Sequence, residues 1–407
     1  MITRRKLLLG GAVFGALSLY SHQRGLRYPR LSFEHEERDL SLSSGAHTLE
    51  FIDCIAIDKQ TLRAIAPEPK IELCLHEVRS QLLVRNLAAN AELSIDTSKL
   101  SSASRKQLVI DESIDGLDRS LSITGPRHEL ITLNWTIPVK DGFDFAIMGD
   151  TGGGSELSWT LKRAHQLGAQ FLLHLGDFNY TEGEYQNALK QFDAAPLPCY
   201  VSIGNHDFHD NGLIYDDFLN RVGPMNHSFE IAGTRFINVD TAADFWPASS
   251  GQRGKLFNNL HQHRFSGEQV LFTHRPLKDP RPHDDHNVGG IGEIDYLVKQ
   301  CNELGIENFL HGHVHHSAEL DFEGIKQFSI GEGLGHEDLV LQKHVAKIMM
   351  ARVEPEKKMQ HRWEDLNMPW SDHQNPTHFD KLNTDRRAKQ LEWYRNLLLE
   401  AGHNLKT

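Results

Sequence analysis

The chain of 407 residues is poor in cysteine and has no excess of positive charge. Its four cysteines form no CxxC pair, which excludes a zinc ribbon and a thioredoxin motif. Cys54 and Cys74 fall in one part of the chain, and the sequence leaves open whether they pair in an oxidising compartment or stay as buried free thiols. The formal net charge of −12, with histidine neutral, argues against a broad nucleic-acid-binding or anionic-membrane surface.

The N-terminal apolar stretch is too short for a comfortable membrane span. Residues 7–20 are almost wholly apolar and suit the hydrophobic region of a signal peptide. Arg4-Arg5-Lys6 forms the basic region before it, and the arginine pair resembles the twin-arginine export signal of bacteria. We expect residues 1–25 to direct export to the periplasm or out of the cell, and either to be cleaved or to remain as a membrane anchor.

Length and pattern divide the rest of the chain into two domains and a tail. A chain of 407 residues exceeds what one hydrophobic core usually holds. Residues 26–140 alternate short apolar stretches with Ser, Asp, Asn and Gly clusters, which is typical of a small all-β domain, and they contain no catalytic constellation. Residues 141–353 alternate strands with helices and predict an α/β fold. Residues 354–407 form a polar tail with a helical stretch over 382–401.

Five predicted strands of the α/β part end in side chains that can bind metal ions. The ends read GDTG at 149–152, GDFNY at 176–180, GNHD at 204–207, LFTH at 271–274 and GHVH at 312–315. Ligands bind beyond the carboxyl ends of strands in such sheets, so we expect these residues to meet at one edge. Carboxylates, a phenol, an amide and imidazoles without a thiolate suit iron, manganese or zinc. Two such ions about 3.5–4 Å apart can hold both the attacking and the leaving oxygen of a phosphoryl transfer.

These motifs resemble those of the calcineurin-like metallophosphoesterases and, more narrowly, the purple acid phosphatase branch. That branch has GDxG, GDxxY, GNHD or GNHE, VxxH and GHxH in the same order, and Leu271 in place of the valine is the one departure. The resemblance covers roughly residues 143–350. It implies a two-sheet α/β sandwich with helices on the outer faces, preceded by the small all-β domain. It also implies a metal-dependent phosphatase with Fe(III) at the first metal site and Fe(II), Zn or Mn at the second.

The resemblance also assigns roles to individual side chains. The ligands of the first metal would be Asp150, Asp177, Tyr180 and His315. The second metal would share Asp177 as a bridging ligand and add Asn205, His274 and His313. His206 would contact the phosphate and help the leaving group depart, and Asp207 would orient its imidazole.

Position 152 distinguishes the purple acid phosphatase branch from the wider family. Most of the wider family has a DxH motif at the first strand end, where the histidine binds the first metal. This chain has Gly152 there, so that ligand is missing, and the phenolate of Tyr180 would replace it and favour ferric iron. The alternative is that Tyr180 is a packing residue. The glycine run 152–154 lacks the lysine of a P-loop, and we expect it to be a flexible turn near the metals.

Several other residues lie near the motifs along the chain. The glycines before the ligands are expected to allow tight turns at the strand ends. His174 is expected to pack or to support a ligand. The segment 281–286 forms either a substrate-facing loop or a solvated one, and His209 and Asp210 are placed where they could approach the pocket.

The resemblance implies hydrolysis of phosphate monoesters by in-line attack of a metal-bound hydroxide, with His206 and the metals stabilising charge. A phosphodiesterase acting on nucleotide or lipid head-group esters would use the same site and differ only in the pocket walls. An exported metal- or phosphate-binding protein without catalysis is a third alternative, and the complete ligand set argues against it. We expect no nucleic acid as a stable partner, and the oligomeric state stays open.

Overall fold

The structure is a computed structural model that describes residues 41–139, 142–207, 216–242, 251–281, 284–289, 291–334 and 346–368. The predicted export signal and the predicted helix of the tail lie outside these residues. Within them, no helix is both long enough and apolar enough to cross a membrane.

The N-terminal part consists of two five-stranded sheets. Their strand orders are β1-β2-β5-β10-β7 and β3-β4-β6-β9-β8. The ten strands are β1 (Ser41–Ser43), β2 (His47–Ile52), β3 (Cys54–Ala56), β4 (Thr61–Ala64), β5 (Lys70–Leu75), β6 (Arg79–Arg85), β7 (Glu92–Asp96), β8 (Val109–Asp115), β9 (Asp118–Thr124) and β10 (Leu130–Thr136). One short helix, Ser102–Arg105, interrupts them. Burial alternates along β5 and β9, as period-two apolar patterns require, and the predicted all-β region is confirmed.

The second part is an α/β sandwich of a five-stranded sheet, ordered β13-β12-β11-β20-β21, and a six-stranded sheet, ordered β14-β15-β16-β17-β19-β18. Its strands are β11 (Phe143–Met148), β12 (Leu172–His174), β13 (Cys199–Val201), β14 (His227–Ile231), β15 (Thr234–Asn238), β16 (Glu268–Phe272), β17 (Asn308–His311), β18 (Ser317–Phe322), β19 (Ile325–Ile330), β20 (Lys347–Val353) and β21 (Gln360–Asp365). Its helices are Ser155–Gln166, Glu184–Asp193, Asp216–Arg221, Gly251–Gln262 and Ile291–Leu304. The predicted fold class is confirmed.

Aromatic side chains fill the space between the two sheets. Phe145 of β11 and Phe236 of β15 meet edge to face, with ring centroids 5.2 Å apart. Phe171, which precedes β12, stacks on Phe145 at 5.2 Å. All three rings are buried, so the apolar faces of the two sheets bury each other and the core lies between them.

The strands that carry the predicted motifs are divided between the two sheets. β11, β12 and β13 are parallel neighbours in the first sheet, and β16 and β17 are parallel neighbours in the second. We expected five strand ends at one edge, and instead three come from one sheet and two from the other. The carboxyl edges of both sheets lie at the same end of the sandwich, where the N–H of Gly149 donates to the carbonyl of Ile330 at 2.9 Å.

The tail begins later than the sequence pattern indicates. We placed residues 354–368 in a polar tail, but β21 pairs antiparallel with β20 and forms the edge of the first sheet. Its side chains are half-buried or exposed, and this partly polar pattern is why the strand has no clear apolar signal. Trp363 of β21 donates its indole N–H to Glu319 of β18 at 2.9 Å, which connects the edges of the two sheets.

The N-terminal sheets pack directly on the α/β part. Buried side chains of both parts belong to one continuous hydrophobic cluster. Asn86 is buried and donates to the carbonyls of Ala64 and Cys199, while its own oxygen accepts the N–H of Cys199 at 3.0 Å. Arg63 is also buried and pairs with Asp193 at 2.6 Å. The contact therefore holds the start of β13 and the end of the helix Glu184–Asp193.

All four cysteines are free thiols in the structure. Cys54 lies in β3 and Cys74 in β5, so the two residues belong to different sheets of the N-terminal part. Burial raises the pKa of the Cys54 thiol, which makes it an unreactive core residue.

Asn86→Ala should destabilise the protein by about 2 to 3 kcal/mol, because it leaves the N–H of Cys199 and two buried carbonyls without partners. The positive φ of 63° at this position adds to the cost, since Ala tolerates it less well than Asn. Chemical denaturation of the variant measures the loss. Asn90→Ala, at an exposed position four residues later, is the matched control and should unfold like the wild type. Equal stability of the two variants would contradict the role of Asn86.

Candidate metal centre

The phenol of Tyr180 lies at the centre of the predicted first metal site. Its Oη is 3.3 Å from Oδ1 of Asp150, 3.2 Å from Oδ2 of Asp177 and 3.0 Å from Nε2 of His315. His315 Nε2 also lies 3.2 Å from Asp150 Oδ1. Four donor atoms from three distant motifs thus lie close together, at about the separations expected of ligands that share a metal ion.

The predicted second site is built around His274. Its Nε2 lies 2.9 Å from Oδ1 of Asn205 and 3.4 Å from Oδ2 of Asp177. Its Nδ1 lies 2.8 Å from the carbonyl oxygen of Leu175. Because a carbonyl oxygen only accepts hydrogen bonds, Nδ1 is the protonated nitrogen in this contact, and Nε2 faces the site. The ring of His313 lies 4.9 Å from that of His274 between centroids.

Asp177 is shared by both groups of side chains. The donor atoms of Asp150, Asp177 and His315 all lie within 4.8 Å of one another, and so do those of Asp177, His274 and His313. Ligands about 2.0–2.2 Å from one ion are roughly 3–3.5 Å apart, which matches the distances observed here. The residues therefore fit a pair of metal ions with one carboxylate between them. The structure brings all seven predicted ligands together, and that they hold metal ions stays a prediction.

The charges of Asp177 and His274 depend on each other. Burial alone would raise the pKa of Asp177, but the charge and hydrogen bond of His274 hold the pKa below its usual range. Burial alone would lower the pKa of His274, and Asp177 outweighs burial and raises it to about 9. Because a metal ligand must be deprotonated, a metal ion bound at His274 would displace this proton, and its binding would weaken as the pH falls.

The backbone is strained at the ligands themselves. Four predicted ligands have positive φ angles: Asp150 (58°), Asp177 (59°), His313 (69°) and His315 (42°). Residues with side chains rarely adopt this region, and such strain is concentrated at functional sites. We had assigned the sharp turns to the preceding glycines, but of these only Gly176 has a positive φ, at 91°.

The other glycines before the ligands are needed for close approach. A Cβ on Gly312 would lie 2.3 Å from Oδ2 of Asp150, and a Cβ on Gly204 would lie 2.2 Å from Oδ1 of Asp177. The same Oδ2 of Asp150 accepts the N–H of His313 at 2.9 Å. Glycine therefore leaves the space in which the two buried carboxylates sit.

Comparison with known proteins identifies the α/β part. Residues 143–317 match the model of the calcineurin-like phosphoesterase family. This part of the chain is a calcineurin-like phosphoesterase domain. The match covers all five motifs, and no curated protein sequence matches the chain.

Solved structures similar to the chain include two phosphatases. A purple acid phosphatase from yellow lupin (Lupinus luteus) seeds is 12% identical, with a TM-score of 0.45, over 74% of this chain and 70% of that one. A dimetal phosphatase from Danio rerio is 12% identical, with a TM-score of 0.41, over 56% of this chain and 97% of that one. The inner-membrane-complex anchor protein of Plasmodium is 13% identical, with a TM-score of 0.43, over 56% and 86%.

Asp207 does not act in the phosphoesterase domain as we predicted. Its Oδ2 accepts the N–H groups of Asp177 at 2.7 Å and Gly204 at 2.8 Å, and its Oδ1 accepts the N–H of Phe178 at 2.8 Å. The carboxylate is buried, and both of its oxygens hold the backbone of two ligand loops. The prediction that it orients the imidazole of His206 is wrong, because a motif shows which residues are adjacent in sequence and not where their side chains point.

His206 lies at the exposed mouth of the site. Its ring centroid is 4.7 Å from that of Tyr180, and its backbone N–H donates to Oδ1 of Asp177 at 2.9 Å. The side chain thus lies beside the phenol of the predicted first metal site and is open to solvent.

Two buried histidines support the motif loops of the phosphoesterase domain. His174 accepts the N–H of Gly176 on Nδ1 at 3.2 Å, and its Nε2 lies 2.9 Å from Oγ1 of Thr151. His311 lies 2.8 Å through Nδ1 from the carbonyl of Gly312. Burial lowers the pKa of His174 to about 3 and that of His311 to about 4, so both are neutral at physiological pH.

The loop after the fourth motif reaches the site through His286. Its ring centroid lies 5.4 Å from that of His313. The buried carboxylate of Asp279 fixes this loop, because it pairs with Arg281 at 3.0 Å and accepts the N–H of His286 at 3.2 Å. Of the two interpretations of this segment, the structure favours a loop that faces the site. Residues 282 and 283 lie outside the described residues, as do His209 and Asp210.

Gly312→Ala should reduce the metal content of the phosphoesterase domain, because the added Cβ would displace the carboxylate of Asp150. Overpacking of this kind costs about 1–3 kcal/mol of stability as well. Metal analysis after dialysis and thermal unfolding measure the two effects. Gly292→Ala is the control, since nothing lies within 4 Å of a Cβ at that helical position. Wild-type metal content in Gly312→Ala would show that the site tolerates the displacement.

Proposed function

We propose that the protein is a phosphatase that hydrolyses phosphate monoesters with a pair of metal ions. The observation that carries the proposal is the shared carboxylate of Asp177, which belongs to both groups of donor atoms. The membership of residues 143–317 in the calcineurin-like phosphoesterases supports phosphate esters as the substrates. When bound, the two ions supply an activated water and neutralise the charge on the transferring oxygens.

The residues of the chain have distinct tasks in this reaction. Asp177 would be the ligand that both ions share, and its loop is kept in place by the hydrogen bonds that Asp207 accepts from the backbone N–H groups of Asp177 and Phe178. His206 lies at the mouth, where it contacts the phosphoryl group and delivers a proton to the departing alkoxide. The ring of His286 is exposed to solvent and lies 5.4 Å from that of His313, so it adds a second imidazole to the wall of the site.

The ligand set also bears on the identity of the metals. Tyr180 gives the first site a phenolate in addition to Asp150, Asp177 and His315, and this hard, anionic set favours Fe(III). The second site has one carboxylate, one amide and two imidazoles, which suit Fe(II), Zn or Mn. We further propose that the N-terminal segment exports the enzyme to the periplasm or the cell exterior.

A panel of phosphate esters tests the function. The purified full chain, loaded with iron and zinc, should hydrolyse a monoester such as p-nitrophenyl phosphate faster than the diester bis(p-nitrophenyl) phosphate, and chelation of the metals should stop both reactions. Faster diester hydrolysis would make the protein a phosphodiesterase. Bound metal with no hydrolysis across the panel would overturn the enzymatic proposal and leave a binding protein.

Asp177→Ala should abolish this activity and bind neither ion tightly. Loss of a single electrostatic stabiliser costs about 10²–10³ in rate, and loss of both ions should cost more. Activity assays and metal analysis on the same preparation check the result. Asp111→Ala removes an exposed carboxylate in the N-terminal part and should leave both quantities unchanged.

Tyr180→Phe should remove the visible absorption band that a phenolate gives when it binds Fe(III), while part of the turnover remains. The substitution takes away one oxygen and keeps the ring, whose centroid lies 4.7 Å from that of His206. Absorption spectroscopy of the iron-loaded proteins measures the band. A wild-type protein that is fully loaded and colourless would exclude ferric iron bound to Tyr180.

A further inference from the structure

The glycine run 152–154 packs against the start of the helix Glu184–Asp193. A Cβ on Gly153 would lie 2.2 Å from the carbonyl oxygen of Glu184. The carbonyl of Gly153 accepts hydrogen bonds from the side chains of Asn187 and Gln191, the latter at 2.7 Å. The turn is therefore packed against the helix, and Gly153 leaves room that a side chain at this position would take from the helix.

The helix presents the carboxylate of Glu184 to the loop that carries Tyr180. Its Oε2 accepts the backbone N–H of Tyr180 at 2.7 Å and that of Thr181 at 3.2 Å. These two amides belong to the residue whose phenol lies among the predicted ligands of the first metal and to its neighbour. Glu184 thus fixes the backbone from which the phenol extends.

The same carboxylate also stands over Gly152. A Cβ at this position would lie 3.3 Å from Oε2 and 3.4 Å from Oε1 of Glu184, and the φ of Gly152 is +59°. A side chain at position 152 would therefore press on the carboxylate of Glu184, and the left-handed φ disfavours any residue other than glycine there. The carboxylate and the backbone conformation together oppose a histidine of a DxH motif at this position.

We propose that Glu184 is a positioning residue that makes Tyr180, rather than a side chain at position 152, the ligand of the first metal. The carboxylate of Glu184 fixes the backbone of Tyr180 and disfavours a competing side chain at position 152. This inference rests on the proposed function, because it requires that a metal ion bind Tyr180. A purely structural Glu184, which only caps the loop before the helix, would affect stability and leave the metal spectrum unchanged.

Three single variants of the full chain, loaded with Fe(III), test the proposal by absorption spectroscopy, iron content and thermal unfolding. Glu184→Ala should lose or shift the phenolate–iron band. Glu184→Gln should keep the band near its wild-type position, because the amide oxygen still accepts the N–H of Tyr180. Glu182→Ala changes an exposed glutamate two residues earlier and should match the wild type in all three measurements. An unchanged band in Glu184→Ala would overturn the proposal, even if that variant were less stable.

A histidine introduced at position 152 provides a second test that does not depend on the band alone. Gly152→His should not raise the iron content of the Tyr180→Phe variant while Glu184 is present. Adding Glu184→Ala to that pair should open the position and raise the iron content. Equal iron content with and without Glu184 would show that the carboxylate does not exclude a ligand there.

The two proposals fail in different ways. A wild-type protein that binds no iron and hydrolyses no ester would overturn the proposed function. A wild-type protein with the band and the activity, combined with an unaltered Glu184→Ala variant, would overturn the role of Glu184 alone.

Discussion

The site depends on one buried carboxylate that stays ionised. Burying a charged group costs several kcal/mol unless it is paired and hydrogen-bonded. Asp177 meets this cost through His274, 3.4 Å away, and through the N–H of His206 at 2.9 Å. Its loop is held in turn by Asp207, and its side chain fits only because position 204 has no Cβ. An ionised carboxylate between the two predicted metal sites therefore requires several supporting contacts, most of them from the ends of other strands.

The two-sheet arrangement is the reason that such distant residues can meet. Parallel strands present their carboxyl ends together, and two sheets packed face to face bring two such ends to one place. The aromatic core around Phe145 and Phe236 fixes the distance between the sheets. The N-terminal sheets contact the start of β13, which leads into the GNHD motif, and the end of the helix Glu184–Asp193, which follows the GDFNY motif. The N-terminal part thus stabilises elements next to the motif loops and contributes no predicted ligand.

The predicted exchange of a histidine for a tyrosine as a ligand of the first metal involves more than two positions. Position 152 has no side chain, Tyr180 provides a phenol, and the carboxylate of Glu184 lies next to Gly152 and accepts the N–H of Tyr180. The neighbouring Gly153 is needed because the helix that carries Glu184 approaches so closely. A close-packed interior couples such changes, because each side chain defines the space available to the next.

The strand ends, the fold class and the predicted ligands that meet at the site could be inferred from local patterns, because each motif is an apolar strand, a glycine and a polar side chain in succession. Packing of distant segments sets the division of the motifs between two sheets, the backbone role of Asp207, the placement of His286 beside His313, and the contact of Glu184 with Gly152. Each of these depends on a distance between segments far apart in the chain, and spacing along a sequence does not specify such a distance. The edge strand β21 escaped prediction for a related reason, since it is stabilised by pairing with β20 and not by an apolar pattern of its own.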